Sequence, residues 1–363
     1  MRATNQNILI FLACFTVFQI CYCINDNINK NRPVVGRHSR STIDEENEIG
    51  HGCECKSDKT GEIHNFCYVD PQNKTSYGKK FDCSNLEHLE NFGIFDLSQG
   101  FVDTSKPTRA HSNVMFVSAC SDEHFQNNPR CSVTLSTLRK FYPIQKMILY
   151  DLGMNSTNRE IAEKIGYLEI RKFDFSKFPN YTAEVNQYRW KVLMTAEVLK
   201  EYSNVWWMDA GTTVVEGNFM EIVYQERADQ KVESDIVLMD YSSHSNFATL
   251  DPTVFTYIPT KSEALLKSQK FGLQYGTNIF YIAKTPQSLK ILKWLLLCAL
   301  DEKCMNPPTS ELSCHFGANR FDHFANCFRF DQSILNLLLL NKFQDHNKYA
   351  SSVGLHIDRI YRK

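Results

Sequence analysis

The sequence predicts an α/β fold, a mostly parallel sheet flanked by helices, with a small cysteine-rich collar ahead of it. Three observations carry that expectation. From about Asn113 onward, short apolar runs of the buried-strand type alternate with stretches of helical periodicity. Three of the strands run directly into an aspartate, Asp151, Asp209 and Asp240, and open parallel sheets bind ligands beyond such carboxyl ends. Before them, Cys53, Cys55, Cys67 and Cys83 crowd a loop-like segment that reads as stapled.

The 363 residues allow one large domain or two smaller ones, and 43% hydrophobic residues are enough for a substantial core. With 40 basic against 41 acidic residues and no basic tract, nucleic acid is not an expected partner.

Residues 1–24 read as a signal peptide or signal anchor. Arg2 and the terminal amine precede an apolar run from Ile8 to Ile24, interrupted by Gln19, and a polar stretch follows. Cys21-Tyr22-Cys23 suits cleavage after Cys23. The alternative is a type II anchor, and a membrane is expected as a partner only through this segment if it stays uncleaved. The flanking charges, Arg2 before and Lys30, Arg32 and Arg37 after, do not choose between the two. Residues 25–50 are polar and aperiodic, a stem or linker. Residues 51–109 form the expected collar and 110–363 the main domain.

Three of the 13 cysteines lie in the leader. The remaining ten are an even number, and in an oxidising compartment they are expected to pair, chiefly within the first cluster and within the last (Cys298, Cys304, Cys314, Cys327). The spacing of Cys53 and Cys55 is wrong for a zinc knuckle, and no other pair supplies one. Asn73, Asn155 and Asn180 each open an Asn-x-Thr sequon, which gains weight behind a leader.

The main domain reads as follows. Val114 to Ala119 is a buried strand, and Val133 to Phe141 is a helix ending at Tyr142-Pro143. Lys146 to Tyr150 is a strand that stops at Asp151. Thr157 to Ile165 is a helix capped by Thr157 or Asn158, and Tyr167 to Phe175 alternates like a strand. Val185, Tyr188, Val192, Ala196 and Leu199 share one helical face. Val205 to Met208, Ile236 to Met239 and Thr277 to Ala283 are strands. Leu289 to Leu300 is an apolar helix too short to span a bilayer, and Ile334 to Leu340 is apolar nearly all round and so buried.

The stretch Asn204-Val-Trp-Trp-Met-Asp209-Ala-Gly211 delivers a carboxylate from a strand tip. Such a group suits a nucleotide-sugar donor, either through a divalent cation or by hydrogen bonding to ribose or sugar. Arg189 and Lys191, at the start of the preceding helix, are candidates to neutralise a diphosphate, against a solvated helix face as the alternative. Asp331 and Gln332 stand at the mouth of a buried helix. Asp331 is read as a base toward an acceptor hydroxyl if transfer inverts, and Gln332 as a hydrogen-bonding partner of the departing sugar if it retains; the alternative for Asp331 is a helix cap. A Rossmann methyltransferase is set aside, because Val117-Ser-Ala-Cys-Ser-Asp122 lacks the required glycine turn.

The segments Phe116-Val-Ser-Ala119, Lys146-Met-Ile-Leu-Tyr-Asp-Leu-Gly153, Arg171-Lys-Phe-Asp-Phe175, Tyr188-Arg-Trp-Lys191, Trp207-Met-Asp209, Cys298-Ala-Leu300 and Arg329-Phe-Asp-Gln-Ser333 resemble an animal family catalogued as domain of unknown function 1647. The resemblance spans most of Asn113 to about Asn341. That family is similar to nucleotide-diphospho-sugar transferases of the GT-A fold, especially family-8 glycosyltransferases. The resemblance implies a GT-A-like sheet, a UDP-sugar donor, a glycan or glycoprotein acceptor, and residence in the Golgi or endoplasmic reticulum lumen or secretion. It implies donor-binding roles for Asp209, Gly211, Arg189, Lys191 and Asp151, and catalytic ones for Asp331 and Gln332. The departure is Gly211, where GT-A enzymes usually carry the second Asp of Asp-x-Asp. A Mn2+ or other divalent ion therefore rests on Asp209 alone, with His356 as a weak counterpart for a second ligand. The rival expectation is an inactive GT-A-like binding protein, which Gly211 favours.

Overall fold

The computed structural model describes residues 52–97, 100–107, 113–127, 130–260, 262–307, 311 and 313–359. The expected leader and stem lie outside them, as do the side chain of His356 and everything beyond residue 359. Among the described residues no helix is long and apolar enough to cross a membrane.

Six strands form the central sheet, in the order 236–245, 273–283, 204–208, 114–120, 147–151, 168–171. The last four are mutually parallel, and only 273–283 runs against its neighbours, so the sheet is mixed but mostly parallel. Helices Arg130–Phe141 and Ser156–Glu163 make the crossovers from 114–120 to 147–151 and on to 168–171. Helix Arg189–Glu201 then carries the chain back to 204–208, on the other side of 114–120. The strand order therefore reverses between 114–120 and 204–208, and a crevice opens beyond the carboxyl ends of strands at such a switch point.

Strand side chains alternate between faces. Val205 and Trp207 enter one core, with helices Arg189–Glu201, Pro286–Ala299 and Asp331–Phe343. Trp206 and Met208 enter the other, with helices Arg130–Phe141 and Phe219–Ala228. The cysteine-rich segment shares the first core, where Tyr68 meets Trp294 edge-on at 5.4 Å and Phe81 lies 5.5 Å from Tyr257.

All ten cysteines from Cys53 onward are paired: Cys53–Cys67, Cys55–Cys83, Cys120–Cys131, Cys298–Cys304 and Cys314–Cys327. Four of the five bonds stay within the first cluster or within the last, as proximity suggested, and Cys120 pairs with its neighbour Cys131.

Several expected boundaries move. The strand from Ile236 does not stop at Asp240 but continues through an irregular register to Ser245. The strand expected over 167–175 is Leu168–Arg171. The cap of helix Ser156–Glu163 is Asn155, whose side chain accepts from the Asn158 backbone N–H, not Thr157 or Asn158. The helix expected from Val185 begins at Arg189, because Tyr188 is left-handed (φ 54°) and breaks the run.

Candidate active site

Asp209 follows the last residue of strand Asn204–Met208, on the same face as Val205 and Trp207, and its N–H still donates to the Asn278 carbonyl. The pleat thus sends its carboxylate toward the two helices that cover this face. Helix Arg189–Glu201 supplies Lys191, and the N-terminus of helix Asp331–Phe343 supplies Asp331. The three meet. Lys191 Nζ lies 2.9 Å from Asp209 Oδ1, 3.1 Å from its Oδ2 and 3.2 Å from Asp331 Oδ2. It also donates to the Thr277 carbonyl at 3.2 Å, and the Thr277 hydroxyl donates to Asp331 Oδ2 at 2.7 Å. The Trp207 indole N–H donates to Asp209 Oδ1 at 2.7 Å. The Tyr188 and Trp207 rings approach the ammonium at 5.2 and 5.9 Å from their centroids, within cation–π reach.

Exposure distinguishes the three side chains. Lys191 is 3% and Asp331 7% exposed, whereas Asp209 is 29% exposed and faces the crevice. Burial alone would depress the Lys191 ammonium, but Asp209 and Asp331 together hold its pKa above the ordinary lysine value, so it stays charged. Burial pushes the Asp331 carboxyl above its usual range, with Lys191 and Thr277 restraining the rise.

Asp331 is not a helix cap. The cap position is Phe330, which makes no side-chain capping bond, and the Asp331 carboxylate is directed to Lys191 and Thr277. Phe330 carries φ 48°, an unusual value for a bulky residue, at the second position of a turn closed by Gln332 N–H to the Arg329 carbonyl. Tyr188 and Phe330, each immediately before one of the two site helices, pack 6.1 Å apart. Strained backbone of this kind persists where the surroundings over-determine it, and it clusters at functional sites.

The other expected residues separate from the cluster. Arg189 points away from it: its guanidinium is fully buried and donates to the carbonyls of Ala299 and Asp301 (2.7 Å each) and Glu302 (2.6 Å), and to Gln187 Oε1 (2.7 Å). It closes the C-terminal end of helix Pro286–Ala299, the corner stapled by Cys298–Cys304. Asp151 forms a turn, accepting from Gly153 and Met154 N–H groups at 2.8 and 2.7 Å and pairing with Arg159. The Gln332 amide is turned into a buried network, donating to Gln274 Oε1 at 2.7 Å and Ser242 Oγ at 3.3 Å. Gly211 has φ 97°, a conformation that favours glycine, and its N–H donates to Thr134 Oγ1 at 2.9 Å.

Arg130 is a site residue that sequence reasoning missed. An ideal Cβ on Gly211 would lie 3.4 Å from Arg130 Cγ, so this side chain packs beside the glycine that follows the strand tip. Its Nε is buried with no hydrogen-bond partner. The adjacent Cys131 is bonded to Cys120, the last residue of strand Val114–Cys120. No periodicity marks Arg130; the fold brings it beside Gly211.

The sequon asparagines are all exposed. Asn73 accepts from the Thr75 hydroxyl at 2.8 Å. Asn155 has its amide nitrogen bonded to Asp122 Oδ2 at 2.8 Å, besides capping its helix. Asn180 is followed by a buried Thr182.

A divalent ion at the strand tip needs carboxylate oxygens at about 2.0–2.6 Å. Here the two converging carboxylates already share a buried ammonium, and among the described residues no group of three or more His, Cys, Asp or Glu side chains is placed to hold a metal. The donor set of the described residues does not fit a divalent cation; the side chain of His356 lies outside them.

Residues 53–196 match the profile of a family described as "Protein of unknown function (DUF1647)". The match takes in the cysteine-rich segment and Lys191 but ends before Asp209, unlike the span from Asn113 to Asn341 read from motifs. Among solved structures, the chain is similar to the mannosyltransferase Ktr4p from S. cerevisiae, at 11% identity over 60% of this chain and 71% of that one, with a TM-score of 0.35. It is also similar to the galactosyltransferase LgtC in complex with donor and acceptor sugar analogues, at 13% identity over 68% and 87%, with a TM-score of 0.36. No curated protein matches. The fold assignment rests on the sheet topology itself, a six-stranded, mostly parallel α/β sheet flanked by helices.

Proposed function

We propose that the protein is a glycosyltransferase of the secretory pathway, binding a nucleotide-sugar (a UDP-sugar by the resemblance) and transferring the sugar to a glycan or glycoprotein. The observation that carries the reading is Asp209, a half-open carboxylate at the switch-point crevice, fixed by Lys191 and Trp207. A carboxylate held this rigidly suits the hydroxyls of ribose or sugar, and Arg130 beside Gly211 suits the diphosphate. Asp331 is then a positioning group that sets Lys191 against Asp209, and Gln332 positions the turn through Gln274 and Ser242.

Asp209→Asn keeps the volume and removes the charge. The expected outcome is a loss of UDP-sugar affinity of about 10–100-fold, equivalent to one charge-assisted hydrogen bond. Calorimetry across a panel of nucleotide-sugars checks it, and affinity equal to wild type in the variant would overturn the assignment. The commitment of Asp331 and Gln332 to buried partners favours a second reading, a GT-A-like protein that binds without turnover. Nucleotide-dependent thermal stabilisation with no nucleotide release from any UDP-sugar would select it.

Five disulfides are consistent with folding in an oxidising lumen. With the apolar leader and exposed sequons they support residence in the Golgi or endoplasmic reticulum, or secretion. A gel-mobility decrease of the untreated protein relative to N-glycosidase-treated protein is expected. Asn73 is the foremost site, because the Asn155 amide is held by Asp122. Identical mobilities together with cytosolic fractionation would refute the secretory assignment.

A further inference from the structure

We infer that Lys191 is the resident cation of this site: its ammonium occupies the place in which two facing carboxylates would otherwise hold a divalent ion, so the crevice works without metal. Three features carry this. The Nζ sits between Asp209 (2.9 Å) and Asp331 (3.2 Å), within contact of both acids. A divalent ion close enough to bind both carboxylates would overlap the ammonium and repel it. The lysine is also held by more than charge. The Thr277 carbonyl accepts from it at 3.2 Å, and the Tyr188 and Trp207 ring faces lie near it. Its stem enters from helix Arg189–Glu201, where Trp190, Val192, Leu193 and Met194 are all buried. Finally, Gly211 supplies no carboxylate at the strand tip, and its left-handed backbone keeps any side chain unfavourable there.

The ammonium does for the site what a bound ion would do locally. It offsets one of the two negative charges of the acid pair and holds Asp209 in one orientation. Unlike an exchangeable ion it cannot be removed by a chelator.

The inference predicts a substitution that creates a metal site. Lys191→Ala removes the ammonium and opens its volume, leaving Asp209 and Asp331 facing a space a cation can fill. Mn2+ titration followed by electron paramagnetic resonance is applied to the wild-type protein, to Asp209→Asn, to Lys191→Ala and to the double variant Lys191→Ala/Asp209→Asn. Wild type is expected to bind no Mn2+ that Asp209→Asn removes. Lys191→Ala is expected to bind Mn2+ at least about tenfold more tightly than wild type, and the double variant is expected to lose that gain. Saturable Mn2+ binding by wild type that Asp209→Asn abolishes would overturn the inference, as would a folded Lys191→Ala with no gain. If Lys191→Ala does not fold, the wild-type titration decides. A separate arm measures UDP binding to wild type with and without EDTA, and equal affinity is expected. Only that arm rests on the transferase reading: UDP failing to bind under any condition counts against the transferase, while the Mn2+ titrations still decide the role of Lys191.

Discussion

Replacing Lys191 by methionine is expected to destabilise the folded protein by about 3–5 kcal/mol, the usual consequence of leaving a buried charge without its partner. Methionine fills much of the lysine volume, so little of the loss comes from a cavity. It comes from two carboxylates that lose their common counter-ion, one of them almost wholly buried. For a unit of this size the melting temperature should fall by roughly 5–8 °C. The deficit should also depend on pH, with a definite sign. The Asp331 pKa is already raised by burial, and without Lys191 it rises further. A carboxyl whose folded pKa exceeds its unfolded value penalises the fold above the folded pKa, and the penalty disappears as pH falls toward the unfolded value near 4. The loss should therefore be largest at neutral pH and shrink on acidification. Thermal melts of wild type and variant between pH 4 and pH 8 check this. A pH-independent difference between the two would show that the three groups do not interact as a unit.

Arg189→Met should be comparably severe for a different reason. The guanidinium satisfies three backbone carbonyls at the end of helix Pro286–Ala299, and methionine supplies no donor. Each orphaned buried acceptor costs about 1–3 kcal/mol, and two of the three are only partly buried, so a total at the lower end, on the order of 3–5 kcal/mol, is expected. Arg189→Lys should recover only part of it, because one ammonium cannot reproduce a planar fork spread over three acceptors. Denaturant unfolding of both variants measures the difference, and full rescue by lysine would show that charge, not geometry, is what this corner needs.

The architecture was legible in the sequence where side-chain periodicity reports it. Strands 114–120, 147–151 and 204–208 and helix Asp331–Phe343 stand out because their apolar residues must be buried. The meeting of Asp209 and Asp331 at one lysine was not legible. Each residue was singled out separately, and nothing local to Lys191 distinguishes a buried ammonium from a solvated one; its partners come from a later strand tip and a much later helix. Arg189 looked like a phosphate ligand because its real partners are backbone carbonyls, which leave no trace in a sequence. Asp151 shared the strand-end signature of Asp209, yet its own turn absorbs it through Gly153 and Met154. The difference lies in the topology: 204–208 borders the reversal in strand order and 147–151 does not.

The Cys120–Cys131 bond has a bearing on biogenesis. Cys120 ends strand Val114–Cys120, and Cys131 is the second residue of the helix that Arg130 begins. Only 11 positions separate them, so the closed loop is short. The tie depends on the redox state of two thiols, whereas the sheet depends on apolar burial, so closing this strand end onto the Arg130 helix is chemically separable from collapse of the core.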